Sequence, residues 1–226
     1  GKVMSGKLIV IDGLDGSGKS TQAKRLYDVL NAAGKRVKLI SFPDYEQPSS
    51  ALVRMYLSGA FSDNADDVNA YAASSFYAVD RYASFIQFWR DFYHAGGTVI
   101  ATRYVSSNAI HQMGKLPSEE WDRFLAWLSD YEYEKLGLPR PDLVLFLDMP
   151  RETADRLIES RYGGDETKKD IHEKNRRYLE QCGRTAAYAA QKEGWIVIPC
   201  ASSGIPRPPE AITNEILMIL DKELYA

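Results

Sequence analysis

The sequence contains little cysteine or histidine, and it has no long hydrophobic run. Its 226 residues include two cysteines and three histidines, and these residues do not show the spacing of a metal site. We therefore expect reduced thiols rather than a framework of disulfides. No apolar stretch approaches the length of a membrane span, and the first residues lack the apolar core of a signal peptide. A cytoplasmic protein without a membrane anchor is the expectation.

The sequence also lacks an excess of positive charge. There are 28 Lys and Arg residues against 31 Asp and Glu residues, a net charge of −3. This balance disfavours a broad nucleic-acid surface, because such surfaces are usually basic. Hydrophobic residues make up 45% of the chain and charged residues 26%, which is ordinary for a globular protein. Repeats and linkers are missing, so we expect residues 1–226 to form a single domain.

The most informative motif is the glycine-rich stretch GLDGSGKST at residues 13–21. An apolar run, 8–11, precedes it, and a helical pattern follows it. A strand, a glycine-rich loop and a helix N-terminus in this order form a phosphate cradle, in which Lys19 reaches the β- and γ-phosphates and Ser20 ligates Mg²⁺. A simple turn before a helix would not explain Lys19. The predicted nucleotide-binding residues are Gly13, Asp15, Gly16, Ser17, Gly18, Lys19, Ser20 and Thr21.

Five short apolar runs predict strands at 8–11, 37–41, 98–102, 143–147 and 195–199. Each run is nearly continuous rather than alternating, which is typical of parallel strands that are buried on both faces. Helical segments separate the runs, as right-handed crossovers require. The predicted fold is therefore α/β, with three α/β/α layers around a five-stranded parallel sheet. Ligands of such sheets bind beyond the carboxyl ends of the strands.

Polar residues near that edge are candidates for binding a second ligand. Arg103 directly follows the third strand and suits bidentate phosphate binding, although pairing with a surface carboxylate would also explain it. Asp15 is unusual beside phosphates and would either accept a sugar hydroxyl or lie in solvent. Tyr77 and Arg81 share a helix face and could contact a flat base. They could equally be a core aromatic and a solvated arginine.

A basic segment surrounds Gly163 and Gly164. Its cations indicate a lid over the phosphates, at about residues 156–176. Acidic residues are interspersed among the basic ones, so a solvated helix of mixed charge is the other interpretation. The basic residues are Arg156, Arg161, Lys168, Lys169, Arg176 and Arg177.

The order and spacing of these motifs resemble the thymidylate kinase family of P-loop nucleoside monophosphate kinases, from about residue 7 to 220. The segments that carry the resemblance are the phosphate loop at 11–22, Phe42-Pro43, the aromatic-x-x-x-arginine at 77–81, the Arg-Tyr-x-x-Ser at 103–107, and PDLVLFLD at 141–148.

The resemblance implies phosphorylation of dTMP to dTDP by ATP and Mg²⁺, in a homodimer with a P-loop NTPase fold. It implies that Asp15 binds the 3′-hydroxyl of the dTMP deoxyribose and that Arg103 holds the monophosphate. It also implies that Tyr77 stacks on the thymine ring, that Arg81 binds O4 of thymine, and that Phe42 lines the base pocket. Because Gly16 stands where some members carry arginine, the catalytic arginine is expected in the lid, at Arg161 or else Arg156. The predicted catalytic residues are Asp15, Lys19, Arg103 and Arg161. The predicted substrate-binding residues are Asp15, Phe42, Arg54, Tyr77, Arg81, Arg103, Ser107, Asn108 and Gln112.

This chain also departs from the family pattern. Thr102 stands where an aspartate is usual, and threonine cannot supply that negative charge. Tyr45 replaces a phosphate-contacting arginine of several relatives, for which Arg54 could substitute. Asn108 and His111 differ from the serine and tyrosine that are common in bacterial members.

Two other functions are consistent with these residues. One is a kinase for another nucleotide or for a deoxynucleoside. A deoxynucleoside kinase commonly has a general base near the acceptor hydroxyl, which residues 42–44 could supply. A regulatory nucleotide switch with little turnover would explain Thr102, but it would not need the lid cations or a base pocket.

Overall fold

The protein, as a computed structural model, is described for residues 6–162 and 166–225, and for side chains other than those of residues 157–175. Five parallel strands form one sheet in the order β2-β3-β1-β4-β5. The five predicted strands are confirmed. Their bounds are β1 Lys7–Gly13, β2 Val37–Ser41, β3 Thr98–Thr102, β4 Leu143–Asp148 and β5 Ile196–Pro199.

Helices connect the strands and cover the sheet. They are α1 Lys19–Ala32, α2 Ala51–Leu57, α3 Ala70–Ser84, α4 Arg90–His94, α5 Val105–Gln112, α6 Trp121–Leu128, α7 Arg151–Tyr162, α8 Glu166–Glu193 and α9 Pro209–Glu223. Wider π-helical turns follow α3 and α6, at Phe85–Trp89 and Ser129–Lys135. Short 3₁₀ turns occur at Pro48–Ser50, Ala65–Asp67, Met113–Lys115 and Ser118–Glu120.

The stretch between β5 and α9 is not entirely irregular. It forms part of an antiparallel hairpin, in which β6 (Ala201–Ser202) pairs with β7 (Ile205–Pro206). Ser203 and Gly204 have φ angles of 51° and 77° at its tip. A two-residue turn with positive φ matches the twist of paired strands, so serine and glycine close the hairpin here.

Alternate residues of β1 face opposite sides of the sheet. Leu8 and Val10 pack in one buried cluster with residues of α5 and α6, whereas Ile9 and Ile11 pack in another with α1 and α9. All four side chains are 0% exposed. Burial on both faces explains why the strand reads as a continuous apolar run. In the described part of the chain, no helix is both long and apolar enough to cross a membrane.

Candidate active site

A cavity of about 410 Å³ opens at the carboxyl ends of β1, β2 and β3. Three segments that are distant in sequence meet there: the phosphate loop, the end of β2 with the stretch after it, and Thr102 with Arg103 at the end of β3. Parallel strands bring their carboxyl ends to one edge, as expected for a ligand site in this kind of sheet. Predicted site residues that line the cavity are Asp15, Gly16, Gly18, Lys19, Ser20, Thr21, Phe42 and Arg103.

The phosphate loop has a backbone that glycine makes possible. Gly16 and Gly18 have φ angles of 83° and 91°, a region that side chains disfavour. A Cβ at Gly13 would lie 2.5 Å from the Ser17 hydroxyl oxygen, so the loop also needs glycine for close packing. Helix α1 begins at Lys19, so the free backbone N–H groups of the first helical turn point toward the loop. The arrangement fits a phosphate chain.

Lys19 lies across this loop. Its ammonium donates to the carbonyl oxygens of Gly13 and Leu14, at 2.8 and 3.2 Å. Burial, followed by the positive charge of Arg103, lowers the pKa of Lys19. The two hydrogen bonds hold the amine at the cavity, where the negative charge of an anionic ligand would raise the pKa of Lys19.

Asp12 fixes the start of the loop. This buried carboxylate accepts hydrogen bonds from the Gly13 amide at 2.8 Å, the Ser106 hydroxyl at 2.6 Å and the Ser107 hydroxyl at 2.8 Å. Ser107, predicted to bind substrate, thus donates its hydroxyl to Asp12. The carboxylate joins the phosphate loop to the first turn of α5.

Arg103 and Asp15 form an ion pair at the mouth of the cavity. Nη2 of Arg103 donates to Oδ1 of Asp15 at 3.1 Å. Arg103 has a φ of 65°, a conformation that costs a non-glycine residue about 1–3 kcal/mol and that is concentrated at functional sites. Arg103 thus pairs with a carboxylate, as one interpretation expected, and it also lines the cavity, where its binding of phosphate stays a prediction.

Thr102 brings no carboxylate to the cavity. Its hydroxyl oxygen lies 2.6 Å from that of Ser41, at the carboxyl ends of two adjacent strands. The hydroxyl pair ties β3 to β2 but supplies no charge. Among the described residues, no group of three or more His, Cys, Asp or Glu side chains could hold a metal ion.

Asp80 fixes the segment after β2, a role that the sequence did not predict. It is 1% exposed and accepts hydrogen bonds from the Asp44 amide at 2.8 Å and the Ser49 hydroxyl at 2.6 Å. Burial and the charge of Asp80 raise the pKa of Asp44. The bonds hold the loop that carries Phe42 against α3.

Arg81 is buried, so the alternative interpretation of this residue as a solvated arginine is wrong. It is 1% exposed and binds Glu132 through Nε and Nη2, at 2.7 and 2.9 Å. Tyr77, one turn earlier on α3, is half-buried beside the ring of Tyr56, whose centroid lies 6.3 Å away. Burial raises the pKa of Tyr77. The helix face therefore holds an oriented guanidinium and a ring.

Helix α5 adds three polar side chains to the region. Asn108 and Gln112 are buried, and the buried Oε1 of Gln112 has no hydrogen-bond partner within the described part of the chain. Nδ1 of His111 lies 2.8 Å from the Tyr178 hydroxyl of α8. Burial, followed by the charge of Arg103, lowers the pKa of His111 to about 4, so this ring is neutral at pH 7.

The predicted residues Arg54 and Arg156 do not line the cavity, and Arg161 belongs to the part of the chain whose side chains are not described. Arg54 is exposed and donates to the carbonyl of Tyr45 at 2.7 Å. Arg156 donates to the carbonyl of Gly204 at 2.8 Å. The Arg161 side chain lies outside the described residues, so its role and the lid at 156–176 stay predictions.

The phosphate loop at the edge of a parallel sheet, with an arginine opposite, defines a P-loop protein of the nucleotide-binding kinase class. A family model described as "Thymidylate kinase" matches residues 11–212. The chain belongs to the thymidylate kinase family.

Individual relatives agree with this assignment. Thymidylate kinase of Mycobacterium tuberculosis is 32% identical over 196 residues, covering 84% of this chain and 90% of the relative. The human enzyme of that name is 30% identical, covering 70% and 67%. A solved thymidylate kinase structure from Candida albicans has a TM-score of 0.69 and 23% identity, covering 96% of this chain and 92% of its own. That structure supports the fold.

Asp12→Ala should destabilise the protein by about 3 kcal/mol, because buried donors left unpaired cost about 1–3 kcal/mol each. Urea unfolding measures the change. Asp28→Ala is the matched control, since Asp28 is 59% exposed and pairs only with Lys24 in the described structure; it should change stability by less than about 0.5 kcal/mol. Equal effects of the two substitutions would contradict the role of Asp12.

Proposed function

We propose that the protein transfers the γ-phosphoryl group of ATP to dTMP, giving dTDP and ADP. An oxygen of the dTMP phosphate attacks the γ-phosphorus, and the bond to the bridging oxygen of ADP breaks. The observation that carries this proposal is that the phosphate loop and Arg103 line one cavity. Such a reaction needs positioning and charge neutralisation rather than a covalent enzyme intermediate.

The donor nucleotide is proposed to lie on the phosphate loop. Backbone N–H groups of residues 13–21 would bind the phosphates, and Lys19 would neutralise charge on the transferring group. Ser20 is exposed on the cavity wall and would hold Mg²⁺. A single hydroxyl fits this metal, because Mg²⁺ in such sites takes its other ligands from water and phosphate. The ion supplies charge neutralisation when bound.

The acceptor is proposed to lie between Arg103 and α3. Arg103 would exchange Asp15 for the monophosphate, leaving the Asp15 carboxylate to accept the 3′-hydroxyl. Tyr77 would stack on the thymine ring, and Arg81 would donate to O4. The other contacts follow the family resemblance and involve Phe42, Arg54, Ser107, Asn108 and Gln112.

Residues 156–176 are proposed to act as a lid within a single domain 1–226. Closing a lid excludes water, which suppresses hydrolysis of ATP, and brings further cations to the transferring phosphoryl group. Arg161 is the first candidate for the catalytic arginine, and Arg156 is the second. A cytoplasmic location agrees with Cys182 and Cys200, which are free and buried.

A homodimer is proposed through the outer face of α3 and of the π-helical turn that continues it. Val79, Tyr82 and Ile86 lie three or four residues apart and are 38, 42 and 36% exposed, while Arg81 and Phe85 on the opposite face are buried. This continuous helical segment thus packs in the core on one side and exposes an apolar stripe on the other. Exposed stripes of this kind commonly mark protein interfaces.

The substrate panel is the primary test. With ATP and Mg²⁺, we expect dTMP to be phosphorylated at least about tenfold more efficiently than dCMP, dGMP or thymidine, because a site built for a substrate's polar groups rejects analogues lacking them. A coupled assay for ADP measures each rate. Phosphorylation of thymidine but not dTMP would favour a deoxynucleoside kinase. Binding of ATP without binding of dTMP, measured by calorimetry, would indicate a regulatory switch.

Arg103→Ala should lower kcat/KM for dTMP by about a hundredfold or more, because a bound phosphate would lose its charge-assisted hydrogen bonds. Steady-state kinetics with varied dTMP measure this change. Arg90→Ala serves as the control, since Arg90 pairs with exposed Asp91 away from the cavity. Near-normal turnover of Arg103→Ala would remove this residue from the site.

The double substitution Tyr82→Glu/Ile86→Glu should convert the dimer to a monomer, because buried unpaired carboxylates are costly at an interface. Sedimentation velocity measures the mass. Met218→Glu is the control, as Met218 is 72% exposed on α9 and should leave the dimer intact. A dimer that survives the double substitution would place the interface elsewhere.

A further inference from the structure

Glu132 is a buried carboxylate for which the proposed reaction has no use. It lies in the π-helical turn Ser129–Lys135 and is 0% exposed. Its Oε1 accepts from Nε of Arg81 at 2.7 Å, and its Oε2 accepts from Nη2 of Arg81 at 2.9 Å. Oε2 also accepts from Nδ2 of Asn108, at 3.1 Å. One carboxylate therefore joins two side chains that come from different helices, α3 and α5.

The carboxylate fixes the ionisation and the direction of Arg81. Burial alone would lower the pKa of this guanidinium, but the charge and hydrogen bonds of Glu132 raise it. A guanidinium carries five N–H donors in a rigid fork. The Nε and Nη2 edge faces Glu132, and within the described part of the chain no hydrogen bond occupies Nη1. The N–H groups of Nη1 remain available as donors.

The same carboxylate fixes the orientation of the Asn108 amide. Nδ2 of Asn108 lies 3.1 Å from Oε2 of Glu132 and 3.1 Å from the carbonyl oxygen of Ser74. Both neighbours can only accept, so the group that faces them must be the NH₂. Its two hydrogens are then used, and Oδ1 is left as an acceptor. An ordinary amide could turn either way, but this one cannot.

The two locked side chains present N–H donors, from Arg81, and one acceptor oxygen, from Asn108. A 4-keto pyrimidine such as thymine offers an acceptor at O4 beside a donor at N3–H. A 4-amino pyrimidine such as cytosine offers the reverse, a donor at N4 beside an acceptor at N3. Donors from Arg81 and the acceptor of Asn108 therefore match thymine and oppose cytosine. A mismatched buried polar pair is costly because both groups lose their partners.

We propose that Glu132 is a positioning residue for base recognition, which locks Arg81 and Asn108 in the pattern that accepts a 4-keto pyrimidine and rejects a 4-amino one. This inference rests on the proposed function, since it places the base of dTMP at these side chains. Glu132 touches neither substrate, and it acts through the two side chains that it holds.

Glu132→Gln tests the proposal, because the amide carries no charge and replaces one of the two accepting oxygens by an NH₂ donor, which would face an N–H group of Arg81 or Asn108. We expect KM for dTMP to rise about tenfold or more, and kcat to change by less than about threefold, since the reacting phosphates are held elsewhere. The inhibition constant of dCMP, measured against dTMP, should change by less than about threefold. Discrimination between the two bases therefore falls.

Glu134→Gln is the matched control. Glu134 is two positions away, 62% exposed and paired with Arg140, so its substitution should leave both constants at wild-type values. Glu132→Asp keeps the charge on a shorter stem and should recover part of the discrimination that Glu132→Gln loses. If Glu132→Gln does not fold, as judged by circular dichroism, Glu132→Asp is compared directly with wild type and should still raise KM for dTMP.

Three results separate the possible outcomes. A higher KM for dTMP with an unchanged dCMP constant supports the proposal. A purely structural ion pair would lower the melting temperature and leave the ratio of the two constants unchanged, which would overturn it. Wild-type protein that does not phosphorylate dTMP at all would instead refute the proposed function, and that result is obtained before any variant is made.

Discussion

The site depends on the hydrogen bonds that converge on the carboxylate of Asp12. This side chain stands at the end of the central strand, is 0% exposed, and binds the phosphate loop on one side and the start of α5 on the other. A buried carboxylate is tolerated only where its oxygens are satisfied. Its partners are therefore fixed relative to each other. The phosphate loop, which would bind ATP, is thus held in place against α5, the helix beside the proposed site of dTMP.

Two further buried carboxylates hold elements that the proposed reaction places at the ligand. Asp80 holds the segment after β2, and Glu132 holds Arg81 and Asn108. Direct ligand contacts would then come from side chains whose own positions are set by a second layer of charge. Catalysis by positioning requires such rigidity, because an error of about 1 Å in the reacting groups costs about a hundredfold in rate.

The strands and the phosphate loop were predictable because their signals are local. Burial on both faces gives continuous apolar runs, and the loop needs glycine at Gly16 and Gly18 whatever the rest of the chain does. Asp12, Asp80 and Glu132 were not predicted as anchors, because they bind partners up to 95, 36 and 51 residues away in sequence. The available signal was a charged residue within or beside an apolar stretch, and such a residue does not name its partner.

The environment of Arg81 could not be predicted from the sequence either. Its spacing from Tyr77 predicted a shared helix face, but spacing could not distinguish a solvated arginine from a buried one. The outcome was decided by Glu132, which lies on another helical turn. Lid residues are a harder case, since mixed charge is compatible with a solvated helix and with a closing lid, and only the ligand-bound state separates the two.

The central claim is that donor and acceptor phosphates meet in one cavity, between the phosphate loop and Arg103. The most direct measurement is inhibition by a compound that joins adenosine and thymidine through a chain of five phosphates. The account predicts competitive inhibition against ATP and also against dTMP, with binding tighter than that of either substrate because the second half binds without further loss of freedom. Competition with only one substrate would contradict it, because the two nucleotides would then occupy separate places.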